Sequence, residues 1–260
     1  MIETSSNHIL FEMRHVSKSF GDLKVLEDFD LAITSGATTV IIGPSGCGKT
    51  VLLKHLIMLL RPDSGQIFFD GVRIDNLKER QLINVRKRCG FLFQAGALFD
   101  SQTVSQNVGF SLYQHSDMNP EQIKKKVREQ LEMVGMSKME DRFPSELSGG
   151  QQKRVALARA IALGPEAILY DEPTTGLDPI RAAVINELII KLQKQLKVTS
   201  IVVTHDMKSA YKIADRIVML KNGRIIADGT AQQISNHPSD EVQEFIRGDS
   251  RGLNHNNGEV

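Results

Sequence analysis

Residues 38–60 read TTVIIGPSGCGKTVLLKHLIMLL, and the fold is decided where this stretch changes pattern. Thr38 to Ile42 is a β-branched, apolar run that predicts a buried strand, and Val51 to Leu60 predicts a buried helix. Between them Gly43 to Thr50, GPSGCGKT, fits the phosphate-loop pattern G-x-x-x-x-G-K-[ST] in its strand-to-helix setting. Gly43, Gly46 and Gly48 let the main chain approach phosphate oxygens with no Cβ in the way, and the helix start adds aligned amides and a positive dipole end. Lys49 is then placed to reach β- and γ-phosphates, and the Thr50 hydroxyl to ligate Mg²⁺. Pro44, Ser45 and Cys47 complete the expected nucleotide-binding loop, Cys47 as a spectator at a variable position.

A second strand supplies the acids. ILYDEP, Ile168 to Pro173, ends an apolar run on Asp171 and Glu172, and ligands of α/β sheets bind beyond the carboxyl ends of strands. An aspartate there holds Mg²⁺, while the adjacent glutamate can act as general base toward an attacking water. The expectation is a nucleoside triphosphatase with Asp171 on the metal and Glu172 as base.

Composition narrows the partners. Over 260 residues the net charge is only +1, with the charges interspersed, so no basic field points to nucleic acid. The densest basic clusters, Arg86-Lys87-Arg88 and Lys124-Lys125-Lys126, read as solvated faces. Two cysteines, one inside the phosphate loop, make no disulfide framework and fit a reducing cytosol. No apolar run approaches the roughly 18 residues that span a bilayer. The N-terminal MIETSSNHILFEMRH lacks the pattern of a secretory leader, so a membrane role is expected to come through partners.

Working outward, Ile9 to Ile33 reads as antiparallel strands, with Phe29, Leu31 and Ile33 alternating with Asp30 and Ala32. Turns at Pro62 to Gly65 and Asp70-Gly71 bracket a strand from Gln66 to Phe69, and a short strand from Gly90 to Phe93 closes this half. Residues 94–164 read as helices; one starts with Asn119 as N-cap and Pro120 at its first position, and its apolar face of Ile123, Val127, Leu131 and Val134 ends at Gly135. From Ala167 strands and helices alternate again: AILYD, a helix from Pro179 to Leu196, a strand from Val198 to Thr204 and a helix from Met207 to Ala214. Arg216 to Leu220 and Arg224 to Ala227 form a hairpin through Asn222-Gly223, a type I′ signal. The tail from Gly248 is polar and aperiodic, and is expected to be disordered in isolation.

With LSGGQ, Leu147 to Gln151, preceding ILYDEP, and PTTGLD, Pro173 to Asp178, following the acids, the sequence resembles the ATP-binding cassette family over nearly all of its length. That resemblance implies an α/β fold: a P-loop NTPase with an antiparallel β subdomain and an inserted α-helical subdomain. Residues 1–93 and 165–236 would form the RecA-like ATP-binding core with the β subdomain, 94–164 the helical subdomain carrying LSGGQ, and 237–260 a C-terminal helix and polar tail. It also implies a head-to-tail homodimer enclosing two ATPs, in which Ser148, Gly149, Gly150 and Gln151 of one subunit contact the nucleotide held by the other. By the same resemblance Gln94 touches Mg²⁺ and the attacking water, His205 is a catalytic switch histidine at the γ-phosphate, Asp178 links the two sites, and Phe20 stacks on adenine.

The segment Gln94 to Asp100, QAGALFD, with Thr103-Val104 and Asn107-Val108, looks like the Mla/Mce-type lipid transporters; so do FPSELSGG (Phe143 to Gly150) and HPSDEVQEFIRG (His237 to Gly248). Many of their ATPases carry methionine after SGG, where Gln151 here gives the generic form. The machine implied pairs two copies of the chain with multi-spanning permeases and a protein with mammalian-cell-entry domains, on the cytoplasmic face of the inner membrane. An importer ATPase for amino acids or other small solutes shares most of these motifs; a non-transport cassette ATPase fits less well. Gly96 to Thr103 is expected to receive the permease, through an exposed Leu98-Phe99 pair.

Overall fold

The computed structural model describes residues 8–248. In chain order its strands are β1 (Ile9–Phe20), β2 (Leu23–Thr34), β3 (Thr38–Ile42), β4 (Ser64–Phe69), β5 (Val72–Arg73), β6 (Cys89–Leu92), β7 (Ala167–Asp171), β8 (Thr199–Val203), β9 (Arg216–Lys221) and β10 (Arg224–Gly229). The helices are α1 (Lys49–Leu56), α2 (Glu79–Lys87), α3 (Val104–His115), α4 (Pro120–Met133), α5 (Gly149–Ile161), α6 (Pro179–Leu196), α7 (Met207–Ile213), α8 (Ala231–Ser235) and α9 (Asp240–Arg247).

Two sheets organise them. A four-stranded antiparallel sheet runs β2-β1-β4-β5, and a six-stranded sheet runs β10-β9-β3-β8-β7-β6. In the larger sheet β9, β3, β8, β7 and β6 are parallel and only β10 is antiparallel. Every residue of β3, β7 and β8 is buried, as strands covered on both faces require. Their side chains alternate between two cores. Val40, Ile42, Ile168 and Tyr170 pack with α3, α4, α5 and α6 residues such as Val108, Val127, Leu157 and Ile189; Ile41, Leu169 and Val203 pack with Leu52 and Leu56 of α1 and with Phe11 and Phe69 of the antiparallel sheet.

Several expected elements stand as read. Asn119 caps α4, its side chain accepting from the Gln122 N–H at 2.9 Å, and Ile123, Val127, Leu131 and Val134 are buried. At the hairpin Asn222 (φ 49°) and Gly223 (φ 73°) both take the left-handed conformation of a type I′ turn. The strand placed over Gly90 to Phe93 lies one residue earlier, over β6.

Other readings need correction. The helix expected from Val51 to Leu60 begins at Lys49 and ends at Leu56. Met58 turns left-handed (φ 54°), His55 Nδ1 donates to Leu60 O at 2.7 Å, and the Arg86 guanidinium donates to Ile57 O and Met58 O at 3.1 and 2.7 Å. The end carbonyls are thus satisfied by a side chain instead of another helical turn. Nor is Arg86-Lys87-Arg88 simply a solvated face: Arg88 pairs with Asp70 after β4 and Glu166 before β7, and lies 4.5 Å from the Phe69 ring centroid, riveting the two sheets together. Helix α2, unread in the sequence, buries only Leu82 and Val85, too few apolar positions for a periodic signal. The tail beyond Gly248 lies outside the described residues. Helix α9 buries Val242, with Phe245 and Ile246 packed on the core and Glu241 paired with Lys221.

Candidate active site

The parallel register brings three loops together. β3, β8 and β7 are neighbours, so the segments leaving their carboxyl ends, Gly43 to Lys49, Thr204-His205 and Glu172 to Thr175, converge. They border a cavity of about 360 Å³ whose lining includes Phe20, Ser45, Lys49, Gln94, Glu172 and His205.

The loop glycines divide by purpose. A Cβ at Gly43 would stand 2.1 Å from Leu220 O and one at Gly48 2.8 Å from Val25 Cγ1, so both are required by packing on the fold itself. Around Gly46 (φ 79°) nothing lies within 4 Å, and this glycine leaves the room on the ligand side. Cys47 packs toward the β1–α1 core, and burial pushes its thiol pKa up, in keeping with a spectator. Lys49 is buried; its ammonium donates to Gly43 O at 2.8 Å and Pro44 O at 2.9 Å.

Thr50 Oγ1 donates to Asp171 Oδ1 at 2.8 Å. Two hard oxygens side by side, one of them anionic, suit Mg²⁺, which takes carboxylate and hydroxyl oxygens together with phosphate. Asp171 is 6% exposed. Burial raises its pKa above the ordinary aspartate range; the Glu172 charge adds to this, while the Thr50 hydrogen bond, Lys54 and Lys49 oppose it.

Glu172 is 9% exposed and left-handed (φ 48°), a costly conformation for a side-chain residue. Its main-chain N–H donates to Val203 O at 3.0 Å. Its carboxylate collects His205 Nδ1 at 3.0 Å, Thr175 Oγ1 at 3.2 Å and Thr204 Oγ1 at 3.4 Å. With a carboxylate as partner, Nδ1 is the protonated nitrogen. Sequence reading gave Thr175 and Thr204 no role. The available signal was a hydroxyl residue at a strand's carboxyl end, or three positions beyond a named acid.

The remaining expected residues stand elsewhere in the chain. Ser148 caps α5: its Oγ accepts from Gln151 N at 3.4 Å and Gln151 Oε1 accepts from Ser148 N at 2.8 Å, so the Gln151 side chain closes a capping box. Ser148, Gly150 and Gln151 border a separate cavity of about 120 Å³ with Arg154 and Arg181. Asp178 caps α6, accepting from Ile180 N and Arg181 N at 3.0 and 2.9 Å. Neither Gly149 nor Asp178 borders the Lys49 cleft.

The raised Asp171 pKa has a measurable consequence. Metal binding needs the carboxylate, and its protonation begins above the ordinary value of about 3.9. The carboxyl of Asp171 in the free protein is therefore expected to titrate at a higher pH than an unperturbed aspartate, and Thr50→Val should move that midpoint higher by removing the hydrogen bond that favours the charged form. The buried charge costs the free protein stability above the folded pKa, and the cost is relieved as pH falls through it. A carbon-detected NMR titration of the nucleotide-free protein checks this; a Thr50→Val midpoint at or below the wild-type one contradicts it.

The ABC transporter family model matches residues 26–175. Over 95% of its length the chain is 42% identical to the intermembrane phospholipid transport system ATP-binding protein MlaF of Haemophilus influenzae, covering 93% of that protein. It is 39% identical to the probable ribonucleotide transport ATP-binding protein mkl of Mycobacterium leprae, over 92% of this chain and 69% of that one. Among solved structures, the dimeric post-hydrolysis state of the ATP-binding cassette MJ0796 bound to ADP and Pi superposes with a TM-score of 0.79 at 33% identity, covering 85% of this chain and 99% of that one.

Proposed function

The chain belongs to the ABC transporter family and is an ATPase, and on that premise we propose that it powers phospholipid transport through partner permease subunits. The lipid reading rests on the end-to-end likeness to MlaF, 93% of whose length is matched. The functional divisions we assign are the ATP-binding core and β subdomain (1–93 and 165–236), the helical subdomain (94–164) and the C-terminal segment (237–260).

We assign each residue its part in hydrolysis as follows. Lys49 exchanges its bonds to Gly43 O and Pro44 O for the β- and γ-phosphates, and Phe20 meets the adenine. Thr50, Asp171 and Gln94 would hold Mg²⁺, which supplies charge neutralisation across the phosphate oxygens. Glu172 takes a proton from water as the water oxygen bonds to the γ-phosphorus and the bond to the β-phosphate oxygen breaks, releasing ADP and phosphate. His205, already against Glu172, turns to the γ-phosphate. Two copies associate head to tail, so that Ser148, Gly149 and Gly150 at the start of one α5 close the cleft of the partner and Asp178 lies between the sites. The separation of Ser148 from the Lys49 cleft within one chain supports this arrangement.

Among the described residues no helix is long and apolar enough to cross a membrane. The expected exposed Leu98-Phe99 pair is half right: Leu98 packs against the core, whereas Phe99 is 42% exposed and packs against Phe110 with ring planes tilted by 49° and centroids 4.9 Å apart. These rings border an apolar cavity of about 440 Å³ with Phe91, Phe93 and Ala97, which we assign as the seat of a permease helix. Phe99→Ser with Phe110→Ser should leave the chain folded and able to bind ATP while weakening permease association about tenfold or more. Co-purification at wild-type stoichiometry would overturn the docking assignment. The cargo is tested by reconstituting the chain with the permease encoded beside it: ATPase stimulation and transfer of fluorescent phospholipid are expected, and stimulation by a ribonucleotide or amino acid without lipid movement would replace the lipid reading.

A further inference from the structure

Lys153 is a lysine only 6% exposed, on α5 five residues beyond Ser148. Its ammonium donates to three main-chain carbonyls, Thr175 O at 2.6 Å, Pro173 O at 2.8 Å and Glu172 O at 3.5 Å. The full donor capacity of an ammonium is thereby spent on one short turn, the turn that carries the hydrolytic carboxylate. That turn is under strain, with Glu172 left-handed. Within it Thr175 donates twice to Glu172, from its N–H to the carbonyl at 3.3 Å and from Oγ1 to the carboxylate at 3.2 Å. Burial lowers the Lys153 pKa, and the Glu172 charge opposes that shift.

Helix α5 runs unbroken from Gly149 to Ile161, with Val155, Leu157 and Ile161 buried. At about 1.5 Å per residue, Lys153 stands about 7.5 Å along the axis from Ser148. One helix therefore presents its first turn to one nucleotide and its flank to the catalytic turn of the other site. We propose that Lys153 is a positioning residue that ties α5 to the turn bearing Glu172, so that seating of Ser148 on the partner's nucleotide sets the place of the general base in the subunit's own cleft. The proposal rests on the head-to-tail arrangement and on Glu172 as base. The competing role is purely structural, in which Lys153 merely shapes α5 and hence the signature residues offered to the partner.

The two roles act on different clefts, which mixed dimers of the full-length chain, purified through two tags, can separate in single-turnover hydrolysis. In the first dimer one subunit carries Lys153→Met and the other Glu172→Gln, so only the cleft beside the altered lysine can turn over. Its maximal rate should fall at least tenfold against the matching dimer with Lys153 intact, with half-saturation by ATP changed less than twofold. In the second dimer one subunit carries both substitutions and the other neither, so the active cleft is the one served by the altered subunit's signature; its rate should stay within about twofold. Equal losses in both dimers, or none in either, would overturn the proposal. Should Lys153→Met fail to fold by its melting profile, Lys153→Arg in the same dimers decides, because a larger planar guanidinium keeps the charge but cannot place its donors where three carbonyls converge on one compact ammonium, and it should give a smaller loss still confined to the first dimer. Ser148→Arg is the control for the arrangement: it should silence the partner's cleft and, through the coupling, slow its own cleft no further than Lys153→Met does. If it slows only its own cleft and leaves the partner's at the wild-type rate, the head-to-tail reading fails and the proposal with it; if it silences the partner's and leaves its own at the wild-type rate, the arrangement stands and the coupling is overturned.

Discussion

Glu172→Gln is expected to abolish steady-state ATP hydrolysis while leaving ATP binding intact and the ATP-loaded dimer long-lived. The amide keeps the size of the carboxylate, and its oxygen can still accept from Thr175 and Thr204, so the strained turn retains its internal bonds. What is lost is the proton acceptor. General-base catalysis is worth about 10²- to 10⁴-fold, and the turnover rate should fall by that amount with little change in nucleotide affinity. The amide nitrogen would also meet the protonated Nδ1 of His205, which now lies 3.0 Å from the carboxylate; the imidazole is freed to turn toward the γ-phosphate, favouring the closed state. Size-exclusion chromatography with and without ATP and Mg²⁺ reads the dimer, and phosphate release reads the chemistry. Turnover within threefold of wild type would remove Glu172 from the role of base.

The sequence revealed most where chemistry is written in consecutive residues. The run from Thr38 to Thr50 combines strand, turn and helix start in one window, and Asp171-Glu172 sits directly at the end of a continuous apolar strand. Both are local patterns; the two strands fall where they were read, and the helix starts two residues earlier, at Lys49. Residues whose role depends on distant partners were not legible. Thr204 and Thr175 reach Glu172 only because β8 lies beside β7 and the turn after Asp171 folds back. Lys153 looks like any polar position of a helix until Pro173 and Thr175 are found against its ammonium. The end of α1 was misplaced for a related reason: apolar residues continue to Leu60, but the helix is stopped by Arg86, 28 positions beyond Met58, taking its carbonyls. Gly43 and Gly48 were read as letting the main chain approach phosphate, yet what a Cβ there would meet is Leu220 and Val25.

Removal of the Lys49 ammonium should act before chemistry, at binding. The side chain is buried at the loop, where its ammonium holds Gly43 O and Pro44 O, and Lys49 itself borders the cleft. Charge-assisted hydrogen bonds contribute about 1.5–3 kcal/mol each, so loss of the contacts to the β- and γ-phosphates should weaken MgATP binding about 100-fold, equivalent to about 2.7 kcal/mol. Lys49→Ala also strips the two carbonyls of their donor, and part of its effect is disorder of the loop itself. Lys49→Met strips the same two carbonyls but keeps most of the side-chain volume, so it separates lost packing from lost charge and donors: the alanine variant should melt lower, while both should lose nucleotide affinity to a similar extent. Lys49→Arg keeps the cation but needs room for a planar fork in a buried channel, and it should restore only part of the binding. Isothermal titration with MgATP and thermal melting check the series. An unchanged MgATP affinity in Lys49→Met, in a protein that melts as wild type does, would show that the phosphates are held elsewhere.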